Sequence, residues 1–241
     1  MKFSILTPSY NTGKYIERAI NSVLAQEYSD WEHIVMDGAS DDNTIEILKK
    51  HPHLIWVSEP DMGQSDAMNK AFEKSTGDII IYLNADDELK SDALKNFKAA
   101  FDTCPNCNMV VANLEVNNAG SKSINNPSVN LRQVLNYWPC IFPANPVSYA
   151  YKTELQEKVG IFPMGNHYSM DYWFLLRAFL KGHVIKKDFV AGTFNFDGSN
   201  KSADAENARK WLRVVRNQFL YRYFYYPDVF KYVIRKYILP I

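Results

Sequence analysis

The sequence predicts an α/β domain, with a mostly parallel central sheet flanked by helices and followed by a helical tail. Three observations predict it. Apolar, β-branched runs alternate with amphipathic stretches through the first hundred residues, the rhythm of right-handed parallel crossovers. The run Ile79-Ile80-Ile81-Tyr82-Leu83 is apolar without interruption, as befits a strand covered on both faces. Each early strand runs into a polar turn, so these turns gather on one edge of the sheet, where open α/β sheets bind ligands.

The elements follow in order. Residues 3–6 read as a strand, and 15–25 as a helix with Ile16, Ala19, Ile20, Val23 and Leu24 on one face. Strands are expected at 33–36, 54–58 and 78–83, with helices at 43–50, 64–75 and 89–101. Beyond these come a strand at 109–112, then an Asn-, Ser- and Gly-rich hairpin or loop over 113–130. A strand at 148–151, a helix at 169–181 and strands at 184–187 and 189–195 complete the sheet. From residue 203 the pattern is one or two helices broken near Pro227. With no internal repeat or low-complexity linker, the expected division is one domain over 1–205 and a tail over 206–241.

Composition narrows the function classes. At 46% hydrophobic and 22% charged residues the chain is expected to fold. Lys+Arg and Asp+Glu balance at 27 each, so no global field draws in nucleic acid. The tail departs from that balance, because eight Lys or Arg residues from Arg209 onward face the single acid Asp228. No apolar run approaches the roughly 20 residues of a membrane span, and the strand-like N-terminus lacks the build of a signal peptide. The expected location is cytoplasmic. Cys104 and Cys107 have dithiol spacing but follow a helix and precede a strand, and only Cys140 remains as a further thiol for a metal. They read as a loop.

Three turns carry the chemistry. Thr7-Pro8-Ser9-Tyr10-Asn11 offers a fixed backbone, hydrogen-bonding groups and a flat ring suited to stacking on a nucleobase. Asp37, at the end of the second strand, offers an acceptor for a base N–H, while Asp42, Asn43 and Thr44 suit a helix cap. Asn84-Ala85-Asp86-Asp87 delivers carboxylates, hard ligands for Mg²⁺ or Mn²⁺ on a diphosphate. Turn chemistry and an acidic cap on the following helix are the plainer readings.

These turns, with the run from Glu59 to Ala71 and Met170-Asp171-Tyr172-Trp173, resemble inverting glycosyltransferases of family 2 with the GT-A fold, in a bacterial subgroup that builds surface polysaccharide. The resemblance covers roughly residues 3–200. It implies a nucleotide-diphosphate sugar donor, most simply a UDP-sugar carrying a hexosyl or N-acetylhexosaminyl group. It further implies Mn²⁺ or Mg²⁺ as cofactor, and a saccharide or polyprenyl-diphosphate-linked glycan as acceptor. By the same resemblance Asp37 recognises the base, between Thr7, Pro8, Ser9 and Tyr10. Asp66, Asn84, Ala85 and Lys201 belong with the donor, Asp86 and Asp87 with the metal, and Asp171 is the general base.

Three positions depart from the family pattern: Asn84 stands for an Asp, Met68 for an Arg near the diphosphate, and Met170 for a Glu before the base. Lys201 is the proposed substitute cation, with a surface lysine as the alternative. Trp138, Phe142, Tyr149 and Trp173 suit either sugar stacking or core packing. In the tail, aromatics interleave with Arg213, Arg216, Arg222, Lys231, Arg235 and Lys236, as in a helix lying on anionic lipid or a tail packed on the domain or on the partner of a homodimer. A nucleotidyltransferase and a non-catalytic nucleotide-sugar-binding subunit are the rival functions. The first lacks a Gly-rich basic loop at residues 7–15, and the second should have lost Asp86 or Asp171.

Overall fold

The computed structural model describes residues 1–136, 143, 145–166, 168–196, 198 and 204–238. Its first half alternates as the hydrophobic pattern requires: β1 (Phe3–Ser9), α1 (Ile16–Leu24), β2 (Trp31–Asp37), α2 (Thr44–Leu48), β3 (Leu54–Ser58), α3 (Gln64–Lys74) and β4 (Ile79–Tyr82). β1 lies between β2 and β4, β3 flanks β2, and all three pairings are parallel. Phe3, Ile5, Leu6, Ile79, Ile80 and Ile81 are fully buried, which accounts for their uninterrupted apolar character.

The second half changes direction. It comprises β5 (Glu88–Leu89), α4 (Ala93–Thr103), β6 (Met109–Asn118), β7 (Ser121–Asn125), α5 (Leu131–Asn136), a 3₁₀ turn (Pro146–Ser148), β8 (Tyr149–Lys152), α6 (Thr153–Val159), α7 (Met170–Lys181) and β9 (Val184–Phe196). The sheet order is β3-β2-β1-β4-β8-β6-β9-β5, with β7 paired to β6. β8 is antiparallel to both β4 and β6, β5 to β9, and β7 to β6, while β9 is parallel to β6. The parallel character expected of the sheet is therefore strongest in its first half.

The reversal matters for function. An antiparallel β8 begins at the edge where β4 ends, so the segment entering β8 meets the turn leaving β4. The helix expected from residue 89 starts instead at Ala93, because Glu88 and Leu89 pair with Thr193 and Gly192 of β9. That short pairing draws the end of β9 to the same turn. The two late strands expected separately form one, and residues 113–125 form a hairpin closed at Ala119 and Gly120, both at positive φ.

The tail is packed. α8 (Ala205–Tyr223) and α9 (Pro227–Val233) precede a π turn (Ile234–Ile238), with Pro227 at a first-turn position of α9. Val215, Phe219, Leu220 and Tyr223 of α8, with Val229 and Tyr232 of α9, join the core cluster that holds Phe174, Leu175 and Ala178 of α7. Fully burying such a side chain is worth about 1.5–3 kcal/mol, so one face of the tail belongs to the domain's core. Cys104 and Cys107 lie in the loop between α4 and β6, and burial pushes the Cys107 thiol up to about 11. That leaves an inert thiol; Cys140 is outside the described residues.

Candidate active site

The floor of the site is the parallel end of β1 and β2. Thr7 is fully buried, and its hydroxyl lies 2.9 Å from His33 Nε2. It braces the floor from within the sheet, and Pro8 and Ser9 are also buried. Tyr10, the next residue, is 63% exposed and presents its ring at the edge. Asp37 ends β2 with its carboxylate fully buried. It accepts hydrogen bonds from Ser9 Oγ at 3.1 Å, Ser40 N at 2.9 Å, Ser40 Oγ at 2.5 Å and Ser58 Oγ at 2.7 Å. Three turns are thus gathered on one acid. Asn11, at φ 51°, tightens the assembly: its N–H donates to Ser40 Oγ and its Oδ1 accepts from Asp41 N. At Gly38 the chain passes close to the Asp61 carboxylate: an added Cβ would lie 2.7 Å from Asp61 Oδ2, so that side chain would have to move.

The start of α3 forms one wall. Gly63, at φ 100°, turns the chain into the helix. Asp66 Oδ2 accepts from Met62 N at 3.0 Å and lies 3.3 Å from Lys70 Nζ, which also pairs with Glu59 at 3.0 Å. Gln64 Nε2 reaches out to Asn84 Oδ1 at 3.2 Å. Met68, where the family pattern has Arg, is buried, and its carbonyl accepts the Tyr82 hydroxyl at 2.9 Å.

The acidic turn leaves β4 between these walls. Ala85 is buried in the cluster of Ile16, Ile20 and Val35, which holds the turn down. Asp86 is partly exposed. Its backbone carbonyl accepts from an Arg18 guanidinium nitrogen at 2.8 Å and from Asn195 Nδ2 at 3.1 Å. Asp87 has a different place from its neighbour, with no exposed surface. It accepts from Asn145 Nδ2 at 2.6 Å, Asn84 Nδ2 at 3.0 Å and the backbone N–H of Asn195 at 3.1 Å. Burial, with the charge of Asp86 alongside, pushes its carboxyl up to about 7. A carboxylate so enclosed anchors the turn.

Asp171 lies in the first turn of α7, half-buried. Burial lifts its carboxyl to about 6, against hydrogen bonding from the N–H of Tyr172 at 2.7 Å. Asn166 shapes the approach by accepting from the N–H groups of Tyr168 and Ser169. Burial, followed by the charge of Asp171, holds the Tyr149 phenol well above the ordinary range. Tyr149 is itself buried, a core residue rather than an open stacking platform. Trp173 faces the tail, 6.3 Å from the rings of Phe219 and Tyr223, with the Arg177 guanidinium 5.1 Å over its ring. Trp138, Phe142 and Lys201 are outside the described residues.

Among the described residues, no group of three or more His, Cys, Asp or Glu side chains converges to hold a metal. A hard cation of the Mg²⁺ type takes one or two carboxylates and completes its shell with water and substrate phosphates. In this turn Asp86 and Asn84 are the two partly exposed side chains that carry oxygen, and Asn84 Oδ1 accepts from Gln64 Nε2. Sequence reasoning missed Asn145, Asn195, Arg18 and Gln64, which hold the acidic turn. Asn145 alone carries a legible signal, as an Asn before a proline-led turn; its side chain accepts from Val147 N.

Comparison with known proteins identifies the family and the fold. Residues 4–170 match glycosyl transferase family 2. An uncharacterized glycosyltransferase of Nostoc sp. is 32% identical over 175 residues, 66% of this chain and 53% of that one. A poly(ribitol-phosphate) beta-N-acetylglucosaminyltransferase, TarS of Staphylococcus aureus, is 25% identical over 193 residues, 77% of this chain and 34% of that one. The chain therefore spans about half the length of these relatives, or less. Residues 1–349 of S. aureus TarS in complex with UDP-GlcNAc superpose at TM-score 0.73 and 19% identity, covering 98% of this chain and 73% of that one. A Pyrobaculum calidifontis mannosyltransferase in complex with GDP-Man and Mn²⁺ superposes at TM-score 0.72 and 23% identity, covering 97% and 68%. With a matched region running from β1 to the start of α7 and a shared GT-A fold, the chain belongs to glycosyl transferase family 2.

Proposed function

We propose that this chain transfers a hexosyl or N-acetylhexosaminyl group, with inversion, from a nucleotide-diphosphate sugar to a hydroxyl of a growing surface glycan or lipid-linked saccharide. A UDP-sugar is the first donor to test. The observation that carries the reading is the five-residue segment 145–149: its first residue hydrogen-bonds the acidic turn through Asp87, and the phenol of its last, Tyr149, is raised by burial and then by the charge of Asp171. The helix turn of the proposed base and the acidic turn of the proposed metal acid are thus tied to one short, buried segment, which suits an in-line displacement with the sugar between them.

In this reading Asp37 receives a base N–H, and its serine partners fix the carboxylate. Tyr10 covers the base with its ring, and Asp66 and Gln64 bound the sugar side. Asp86, with Asn84, would hold Mn²⁺ or Mg²⁺ against the diphosphate; when bound, the ion supplies Lewis-acid stabilisation of the leaving group. Asp87 keeps the turn in place. The acceptor hydroxyl forms its bond to the anomeric carbon as the bond to the diphosphate oxygen breaks. Asp171 takes the hydroxyl proton, a general-base contribution of about 10²–10⁴-fold. Its lifted pKa makes it a stronger proton acceptor than an ordinary aspartate.

A screen of nucleotide sugars for hydrolysis, with Mn²⁺ and with chelator, tests this function. Metal-dependent release of the nucleoside diphosphate supports it. A nucleotidyltransferase would instead form pyrophosphate from a sugar phosphate and a nucleoside triphosphate, and a non-catalytic subunit would bind without turnover.

A further inference from the structure

We propose that the outward face of α8, α9 and the π turn docks on an anionic lipid surface. Six of the fourteen exposed large apolar side chains among the described residues lie between 221 and 238: Tyr221 at 90% exposure, Tyr225 at 75%, and Phe224, Phe230, Tyr237 and Ile238. Helical spacing separates the two faces of α8. Val215, Phe219 and Tyr223 turn into the core, while Arg213, Asn217 and Tyr221 remain exposed on the opposite side. Several of these rings lie together: Phe224 and Phe230, from either side of the helix break, meet edge to face at 5.2 Å, and Tyr221, Phe224 and Tyr237 line one groove. Residues left over from core formation are thus concentrated on one surface, as at an interaction site.

Charge identifies the partner. Arg213, Arg222, Lys231 and Arg235 are exposed among these rings, and no ion pair among the described residues involves them. Aromatic rings at headgroup depth, surrounded by unpaired cations, match an anionic bilayer. A two-fold contact with a second copy would set these same cations against each other, since an isologous interface pairs a patch with itself. No described helix is long and apolar enough to cross a membrane, so the association is along the surface. A groove of about 630 Å³ between Arg216, Leu220, Phe224 and Tyr237 shares Tyr221 with a second, of about 790 Å³, that reaches Asn166 and Trp173 beside the base helix. The bilayer face thus connects with a groove that reaches α7, the helix carrying Asp171, and the association does not depend on donor chemistry.

Flotation of the intact chain with phosphatidylcholine vesicles, with and without phosphatidylglycerol, tests the proposal. Binding is expected only with phosphatidylglycerol and should weaken as salt rises. Replacing Arg222→Glu together with Arg235→Glu should lower the partition coefficient by at least about tenfold. Tyr221→Ser with Tyr225→Ser should also lower it, with UDP binding and melting temperature unchanged as controls for folding and donor site. Absence of binding to anionic vesicles, equal binding to neutral ones, or a dimer in sedimentation velocity that these substitutions dissociate would each overturn it. Loss of vesicle binding with donor hydrolysis intact separates failure of this surface from failure of the proposed chemistry.

Discussion

Asn145 donates its side-chain amide to Asp87 at 2.6 Å, joining the entry to β8 to the turn that leaves β4 across 58 residues of sequence. Both groups are buried, so the bond is not shared with bulk water. Asn145→Ala should lower the unfolding free energy by about 1–3 kcal/mol, the range for leaving a buried polar partner unmatched. It should also weaken binding of UDP with Mn²⁺, because Asp87 then holds the turn less firmly. Urea denaturation and calorimetry check the two effects separately.

Asp86→Ala should remove the metal-dependent part of nucleotide diphosphate binding while leaving the fold intact, since the Asp86 side chain is partly exposed. Asn84→Asp should behave differently. It replaces the amide that donates to Asp87 with a third carboxylate beside two others. The variant should be less stable without metal and recover on adding Mn²⁺. Thermal melts with and without the ion, alongside titration calorimetry, read both substitutions.

Asp37→Ala should raise the donor KM more than it lowers kcat, because the interaction it removes is the same in ground and transition states. The three serines that donate to it lose their acceptor together, so a fall in stability should accompany the kinetic change. Steady-state kinetics over a range of donor concentrations distinguish this from loss of chemistry.

The base carries its own pH signature. Burial lifts Asp171 to about 6, so transfer should rise with pH through that value as the carboxylate ionises. The same burial favours the protonated form in the folded state: the native protein holds a proton between the ordinary aspartate range and about 6 that the unfolded chain has lost. This contribution to stability is present at low pH and is lost as pH rises through that window. Asp171→Asn should thus become more stable relative to the original chain as pH rises from about 4 to about 6, by about 1–3 kcal/mol. Denaturation of both proteins across that range measures the difference.

The parallel half of the fold was readable because its signals are local. Ile79–Tyr82 is buried on both faces and has no polar interruption, and α1 and α3 follow helical spacing over their whole length. The antiparallel insertion of β8 was not readable, because four residues of Tyr149–Lys152 carry a strand signal and no direction. The local pattern places a helix start at residue 89, because the pairing of Glu88–Leu89 with β9, which moves that start to Ala93, is tertiary. In the site, Asp37, Asp86 and Asp171 stand out by residue type and by the family pattern. The different place of Asp87 depends on Asn145 and Asn195, 58 and 108 residues away, and no local pattern distinguishes a buried acid from its partly exposed neighbour.

Asp171 is the centre of the proposed chemistry, and one substitution tests it most directly. Asp171→Asn keeps the size of the side chain and an oxygen able to accept the Tyr172 N–H, yet cannot take a proton from the acceptor hydroxyl near neutral pH. Transfer by the purified variant, measured with donor and acceptor saturating, should fall by about 10²–10⁴-fold, with UDP affinity in Mn²⁺ unchanged. Transfer at close to the original rate would contradict the assignment and leave Asp171 as a residue that only shapes the first turn of α7.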